Sequence, residues 1–96
     1  MKIGFVGLGK MGGNMVERLI KDGHQIVGYN LTPKEVEEAV VKGAEGTSSV
    51  DEMVKKLPEQ KIVWLMVPSG DPVDQNIEEL SKYLKSGDII IDGGNS

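Results

Sequence analysis

The short run Lys2–Val6 abuts Gly7-Leu8-Gly9-Lys10-Met11-Gly12, and an amphipathic stretch follows at once. That order constrains the fold more than any other segment. A short apolar run against a glycine cluster reads as a buried strand, and G-x-G-x-x-G at its end lets the chain turn tightly into a helix. Gly7 permits the turn, Gly9 keeps a Cβ away from anything approaching the loop, and Gly12 allows close helix–strand packing. The helix start then offers unsatisfied N–H donors and a partial positive charge, the environment that holds phosphate. A glycine-rich turn without a ligand would use the same residues, but the strand-loop-helix context favours a dinucleotide pyrophosphate. Lys10 is either a phosphate contact or a solvated loop lysine.

The rest of the chain alternates short apolar runs with amphipathic stretches and shows no internal repeat, low-complexity tract or linker. The first helix starts near Lys10, with Met11, Met15, Val16, Leu19 and Ile20 as its buried stripe, and Asp22-Gly23 ends it. Gln25–Tyr29 is the second strand. Thr32-Pro33-Lys34-Glu35 combines an N-cap, a proline in the first turn and a capping-box glutamate, which predicts a helix to about Val41. Ala44–Thr47 forms a short edge strand, and Ser49 with Glu52 repeats the capping box before a short helix. Lys61–Val67, apolar on both faces and containing Trp64 as a core residue, suits a central parallel strand. Asp71-Pro72 caps a further helix with Val73, Ile77, Leu80 and Leu84 on one face, and Gly87 leads into a last strand over Asp88–Asp92. These elements predict an α/β class, a Rossmann-like doubly wound parallel sheet of about five strands in the order 3-2-1-4-5. All 96 residues make one domain.

Composition narrows the partners. A net charge of -4 disfavours nucleic acid, so a bound phosphate must be held by local backbone donors rather than a basic field. No apolar run approaches the roughly 20 residues of a membrane helix, and no export signal is visible. The absence of cysteine excludes disulfides and thiolate metal sites and fits a cytoplasmic setting. Spacing assembles no metal cluster, paired carboxylates or nucleophile–base set.

Three further segments end at the carboxyl edge of the expected sheet, where open α/β sheets bind ligands. After the second strand come Asn30, Leu31 and Thr32. Asn30 can bond a ribose without repelling a phosphate, and Thr32 and Lys34 are the nearby groups able to hold one. Met66-Val67-Pro68-Ser69-Gly70 either borders a ligand or is an ordinary strand-to-helix turn. Asp92-Gly93-Gly94-Asn95-Ser96 lets backbone approach a ligand beside the donor and acceptor of Asn95, although it too could be a turn. Asp92 fits an Asx turn better than a catalytic base, and His24 lies on the opposite edge in a structural or solvated role.

Together GFVGLGKMGGNM, VWLMVPSGDPVDQ and DIIIDGGNS resemble the amino-terminal segment of decarboxylating 6-phosphogluconate dehydrogenases of the shorter bacterial type, within the β-hydroxyacid dehydrogenase family. The similarity runs through the whole chain, and the IIDGGNS ending separates it from hydroxyisobutyrate-type relatives. The resemblance implies that Gly7, Leu8, Gly9, Lys10, Met11 and Gly12 hold the pyrophosphate of NAD or NADP. It further implies that Asn30, Leu31 and Thr32 surround the adenosine ribose, that Val67, Pro68 and Ser69 border the nicotinamide, and that Asn95 touches cofactor and sugar phosphate. Family members oxidise and decarboxylate 6-phosphogluconate to ribulose 5-phosphate, a pentose phosphate pathway step. NADP-preferring members carry arginine where Leu31 stands, and many short-type members have Asp-Arg in place of Asn30-Leu31, which leaves the choice of cofactor open.

The family's catalytic lysine and glutamate and its helical substrate domain have no counterpart positions here. The expectation is therefore a truncated cofactor-binding piece that contains no catalytic residue, is inactive alone, and exposes enough apolar surface to self-associate. The alternatives are a cofactor domain of the hydroxyisobutyrate type, a non-catalytic nucleotide-binding module and an engineered minimal fold.

Overall fold

The computed structural model describes residues 1–58, 60–66 and 78–93. Five parallel strands form one sheet: β1 (Lys2–Val6), β2 (Gln25–Tyr29), β3 (Glu45–Gly46), β4 (Ile62–Leu65) and β5 (Ile89–Asp92), in the order β3-β2-β1-β4-β5. Helices α1 (Lys10–Lys21), α2 (Pro33–Val41) and α3 (Val50–Lys55) connect them, and residues 78–81 form a further helical turn ahead of β5. The predicted class, strand order and element sequence all stand. β4 and β5 are shorter than the apolar runs that announced them, and the Asp71-Pro72 cap with Val73 and Ile77 lies outside the described residues.

β1 is central because it pairs on both sides, with Lys2–Val6 beside Gln25–Tyr29 and Gly4–Val6 beside Val63–Leu65. Alternation along the strands divides the core between the sheet faces. Ile3, Phe5 and Ile26 pack with Val16 and Ala39 of α1 and α2, while Val6, Val27, Val63 and Leu65 pack with Met53 and Val54 of α3 and with Leu80. Trp64 stacks on Phe5 at 6.1 Å between ring centroids, in the first of these layers. Leu84 is half-buried against the second layer, beside Leu80.

The first helix ends as Asp22-Gly23 predicts, and α2 ends in the same way at Gly43. Past α1, Gly23 takes φ 95°, its N–H reaches the Ile20 carbonyl, and the His24 N–H reaches that of Leu19. Gly43 repeats this pairing after α2. These are Schellman closures.

Three expectations are corrected, the third in part. Met11 does not join the buried stripe of α1. It is 61% exposed, because in the first turn Gly12 is the residue that faces the sheet. Thr32 occupies the N-cap position of α2, but its side chain makes no capping bond, and Glu35 instead accepts from Asn30 Nδ2 at 3.4 Å. At α3 the Ser49 Oγ accepts from the Glu52 N–H at 3.0 Å as predicted, while the Glu52 carboxylate bonds the N–H of Ser48 rather than that of Ser49. Ile89, on edge strand β5, is half exposed.

Candidate cofactor-binding site

The loop between β1 and α1 is held from below. Gly7, at φ 97°, donates its N–H to the Tyr29 carbonyl at 3.0 Å, and Leu8 donates its N–H to Asn30 Oδ1 at 2.8 Å. These two bonds tie the loop to the end of β2. They also commit the amides of Gly7 and Leu8, and the Leu8 side chain is buried against Gly28. The first intrahelical bond is Gly13 N–H to the Gly9 carbonyl at 2.6 Å. The amides of Lys10, Met11 and Gly12 therefore precede the hydrogen-bond ladder.

Among the described residues no side chain competes for these amides. Gly9 is the N-cap and has no side chain with which to cap, and the first turn of α1 carries no acidic residue. A Cβ at Gly9 would meet no atom within 4 Å, so the approach over the loop is open. A Cβ at Gly12 would overlap the Gly7 carbonyl oxygen, so the helix can lie this close to the turn only with glycine there. An uncapped helix start, an open approach and a rigid turn beneath it fit an anionic phosphate.

Clefts lie on either side of the β2 tip. One, of about 390 Å³, is bounded by Tyr29, Asn30, Leu31, Val36, Thr47 and Glu52. The other, of about 320 Å³, runs from Leu8, Gly9 and Lys10 across to Glu35, Glu38 and Lys42. Asn30 lines the first and Glu35 the second, so their contact forms the wall between them. Both N–H donors of Asn30 are engaged, Nδ2 donating to the Thr32 carbonyl at 3.1 Å and to Glu35, while Oδ1 accepts one bond, from Leu8. Leu31 is 89% exposed beside it.

The floor of the first cleft includes Thr47, which is buried and donates both its N–H and its hydroxyl to the Gly28 carbonyl. Hydrogen bonds from the Ser48 N–H and hydroxyl hold the Glu52 carboxyl below its ordinary value, keeping a negative charge at the rim. Sequence reading missed Thr47, Ser48, Glu35 and Glu52 as site residues. Two serve helix starts by pattern, and their position at the β2 tip arises from strand pairing that no local signal carries.

Of the residues singled out in the sequence, the structure brings together Gly7, Leu8, Gly9, Lys10, Met11, Gly12, Asn30, Leu31 and Thr32 at the ends of β1 and β2. Val67, Pro68, Ser69 and Asn95 lie outside the described residues. Leu65, just before the first group, pairs with Asp92 at the same edge. Trp64 Nε1 is buried without a partner among the described residues and lies against Gly93, whose N–H bonds the Leu65 carbonyl at 2.8 Å. His24 sits at the amino end of β2, away from this edge, with Nδ1 buried and unpartnered among the described residues. Among the described residues no cluster could hold a metal ion, and no helix is long and apolar enough to cross a membrane.

Residues 2–96 match the family described as the NAD binding domain of 6-phosphogluconate dehydrogenase. The chain belongs to that family. Within the 6-phosphogluconate dehydrogenase group it is 42% identical over 96 residues to the NAD(+)-dependent decarboxylating enzyme of Haloferax volcanii, covering 100% of this chain and 32% of that protein. It is 43% identical over 99 residues to the decarboxylating enzyme of Haemophilus influenzae, covering 98% of this chain and 20% of the relative. The chain thus spans a third or less of these relatives. Among solved structures, Plasmodium falciparum 6-phosphogluconate dehydrogenase, described in apo form and in complexes with NADP+ and with 6-phosphogluconate, superposes with a TM-score of 0.91 at 34% identity, covering 100% of this chain and 22% of that one. Mycobacterium tuberculosis 3-hydroxyisobutyrate dehydrogenase gives 0.87 at 27% identity, over 97% of this chain and 31% of that one.

Proposed function

We propose that this chain is the NAD- or NADP-holding part of an oxidoreductase that oxidatively decarboxylates 6-phosphogluconate to ribulose 5-phosphate and CO2. The uncapped start of α1 beneath the open approach at Gly9 carries the reading. The amides of Lys10, Met11 and Gly12 take the pyrophosphate, and Gly7, Leu8 and Gly9 shape the turn. Asn30, Leu31 and Thr32 surround the adenosine ribose. Val67, Pro68 and Ser69 border the nicotinamide, and Asn95 reaches both cofactor and the sugar phosphate. When bound, the nicotinamide accepts the hydride, and the chain's own contribution is to position it.

Residues 1–96 act in this reading as a partial Rossmann domain in a cytoplasmic enzyme. The catalytic lysine and glutamate and the helical substrate domain come from sequence outside these residues, in keeping with relatives several times longer. The chain alone then binds cofactor without turning substrate over, and Ile89 on β5 gives it an apolar edge for self-association. The likeness to 3-hydroxyisobutyrate dehydrogenase supports a second reading with a different hydroxyacid substrate, at lower identity.

Titration of the 96-residue chain with NADH and NADPH, followed through energy transfer from Trp64, tests the proposal alongside an assay with 6-phosphogluconate. Saturable binding without turnover is expected. Absence of binding by both nucleotides overturns the cofactor role, and turnover near the rate of a full-length enzyme overturns the assignment of catalysis to other sequence.

A further inference from the structure

The relatives point both ways on cofactor choice, since one is named as NAD(+)-dependent and another is described with NADP+. The residues around the β2 tip decide between them. In this fold the group at the end of β2 faces the adenosine ribose 2′ position, where an acidic side chain accepts from the hydroxyl of NAD and a cation holds the 2′-phosphate of NADP. Asn30 stands at that position, but both donors of its NH2 are spent within the chain, on Thr32 and Glu35, and its oxygen, which accepts from Leu8, can only accept. It has no donor left to offer a phosphate. The next residue, Leu31, is apolar and exposed.

The charge beside Asn30 belongs to Glu35. Its Oε2 lies 3.4 Å from Asn30 Nδ2, and the same side chain lines the cleft that begins at Leu8 and Gly9. Among the described residues no lysine or arginine pairs with it, whereas Lys42 in that cleft lies 3.7 Å from Glu17. The cleft on the other side carries Glu37 and Glu52 and no cation. Opposing these are Lys10 at the start of α1, Lys34 in the first turn of α2, and the positive end of α2 itself. The two lysines are exposed, and an exposed lysine offers a hydrated point charge on a flexible stem, not the planar fork that holds a phosphate firmly.

We infer that the site selects NAD(H) over NADP(H), with the Glu35 carboxylate, presented beside Asn30, accepting from the ribose 2′-hydroxyl and repelling a 2′-phosphate. Glu35 thereby performs from the first turn of α2 the task usually given to an acid at the strand end. This rests on the cofactor role proposed above.

Parallel titrations of the chain with NADH and NADPH test it. NADH binds at least about tenfold more tightly in the unaltered chain, and Glu35→Gln, which keeps the shape and an acceptor oxygen, narrows that ratio to about threefold or less, mainly by strengthening NADPH binding. Circular dichroism checks that the variant keeps its fold. Equal or tighter binding of NADPH by the unaltered chain overturns the inference, as does a ratio that Glu35→Gln leaves unchanged. A Lys34→Ala variant that loses NADPH alone would place the 2′-phosphate on that lysine and also overturn it. Absence of binding by both nucleotides overturns the cofactor role itself, whereas equal binding overturns only the selectivity.

Discussion

At Gly12 a hydrogen stands where any other residue would drive a methyl group into the Gly7 carbonyl. Its neighbour Gly13 is also helical, but a Cβ there would meet only the Leu8 carbonyl oxygen and Lys42 Nζ, each at 3.6 Å, an ordinary contact. Alanine in a helix gains about 1 kcal/mol over glycine. At Gly13 that gain should appear nearly whole, so Gly13→Ala stabilises the chain by about 0.5–1 kcal/mol. At Gly12 the overlap costs more than the propensity returns, since forcing atoms into a packed site costs about 1–3 kcal/mol and α1 must move off the turn. Gly12→Ala is therefore expected to lower stability in urea denaturation and to weaken nucleotide binding at least about tenfold, because the amides it displaces are those of the proposed phosphate site. The role of Gly12 was legible because glycine spacing reports backbone approach directly. That of Asn30 was legible only as a polar residue at a strand end, for its partner amide lies 22 positions earlier and is met only after β1 and β2 pair.

Between elements, the joint that sequence left least marked is Asp88. Its Oδ1 accepts from the Lys61 N–H at the entrance to β4, and its Oδ2 accepts from the Lys85 N–H in the turn before β5, both at 2.8 Å. These amides, with smaller help from the charges of Lys61 and Lys85, hold the Asp88 carboxyl below its ordinary value of 3.8. A depressed carboxyl contributes stability that is complete above its unfolded value and is lost as pH falls through the folded one. Asp88→Asn cannot accept with both terminal atoms and so surrenders one amide. Its destabilisation is expected to be largest near neutral pH and to shrink as pH falls from about 5 to 2, where unaltered Asp88 becomes protonated as well. Unfolding curves of both chains across that range check this, and a pH-independent difference would argue against the joint. Element order, strand order and helix stops were readable because apolar period and glycine closures are local. The Thr32–Glu35 capping box was not correctly readable. Asn30, brought beside Glu35 by the turn at Leu31, takes the carboxylate that the local pattern assigned to the helix start. Met11 failed for a related reason: period alone cannot tell that the first turn presents Gly12 to the sheet.

Across the whole molecule, the two core layers are joined through one sheet, and the loop residues gathered at its carboxyl edge come from sequence as far apart as Gly7 and Thr47. A ligand that needs the β1 turn, the β2 tip and the start of α1 in one arrangement meets that arrangement only in the folded chain. Binding must then stabilise the fold by mass action, by about 2.7 kcal/mol when free ligand is a hundred times its dissociation constant. For a chain of this size each kcal/mol moves the thermal midpoint by about 4–8 °C, so a saturating nucleotide should raise it by roughly 10–20 °C. The rise should be the same by far-ultraviolet circular dichroism and by Trp64 fluorescence, because Trp64 stacks on Phe5 of the central strand and reports the same cooperative core. A midpoint unmoved by NAD and NADP at millimolar concentration would remove the cofactor role from this edge. A rise seen only by fluorescence would mean that the ligand reorders the surroundings of Trp64 without engaging the fold that brings Gly7, Asn30 and Thr47 together.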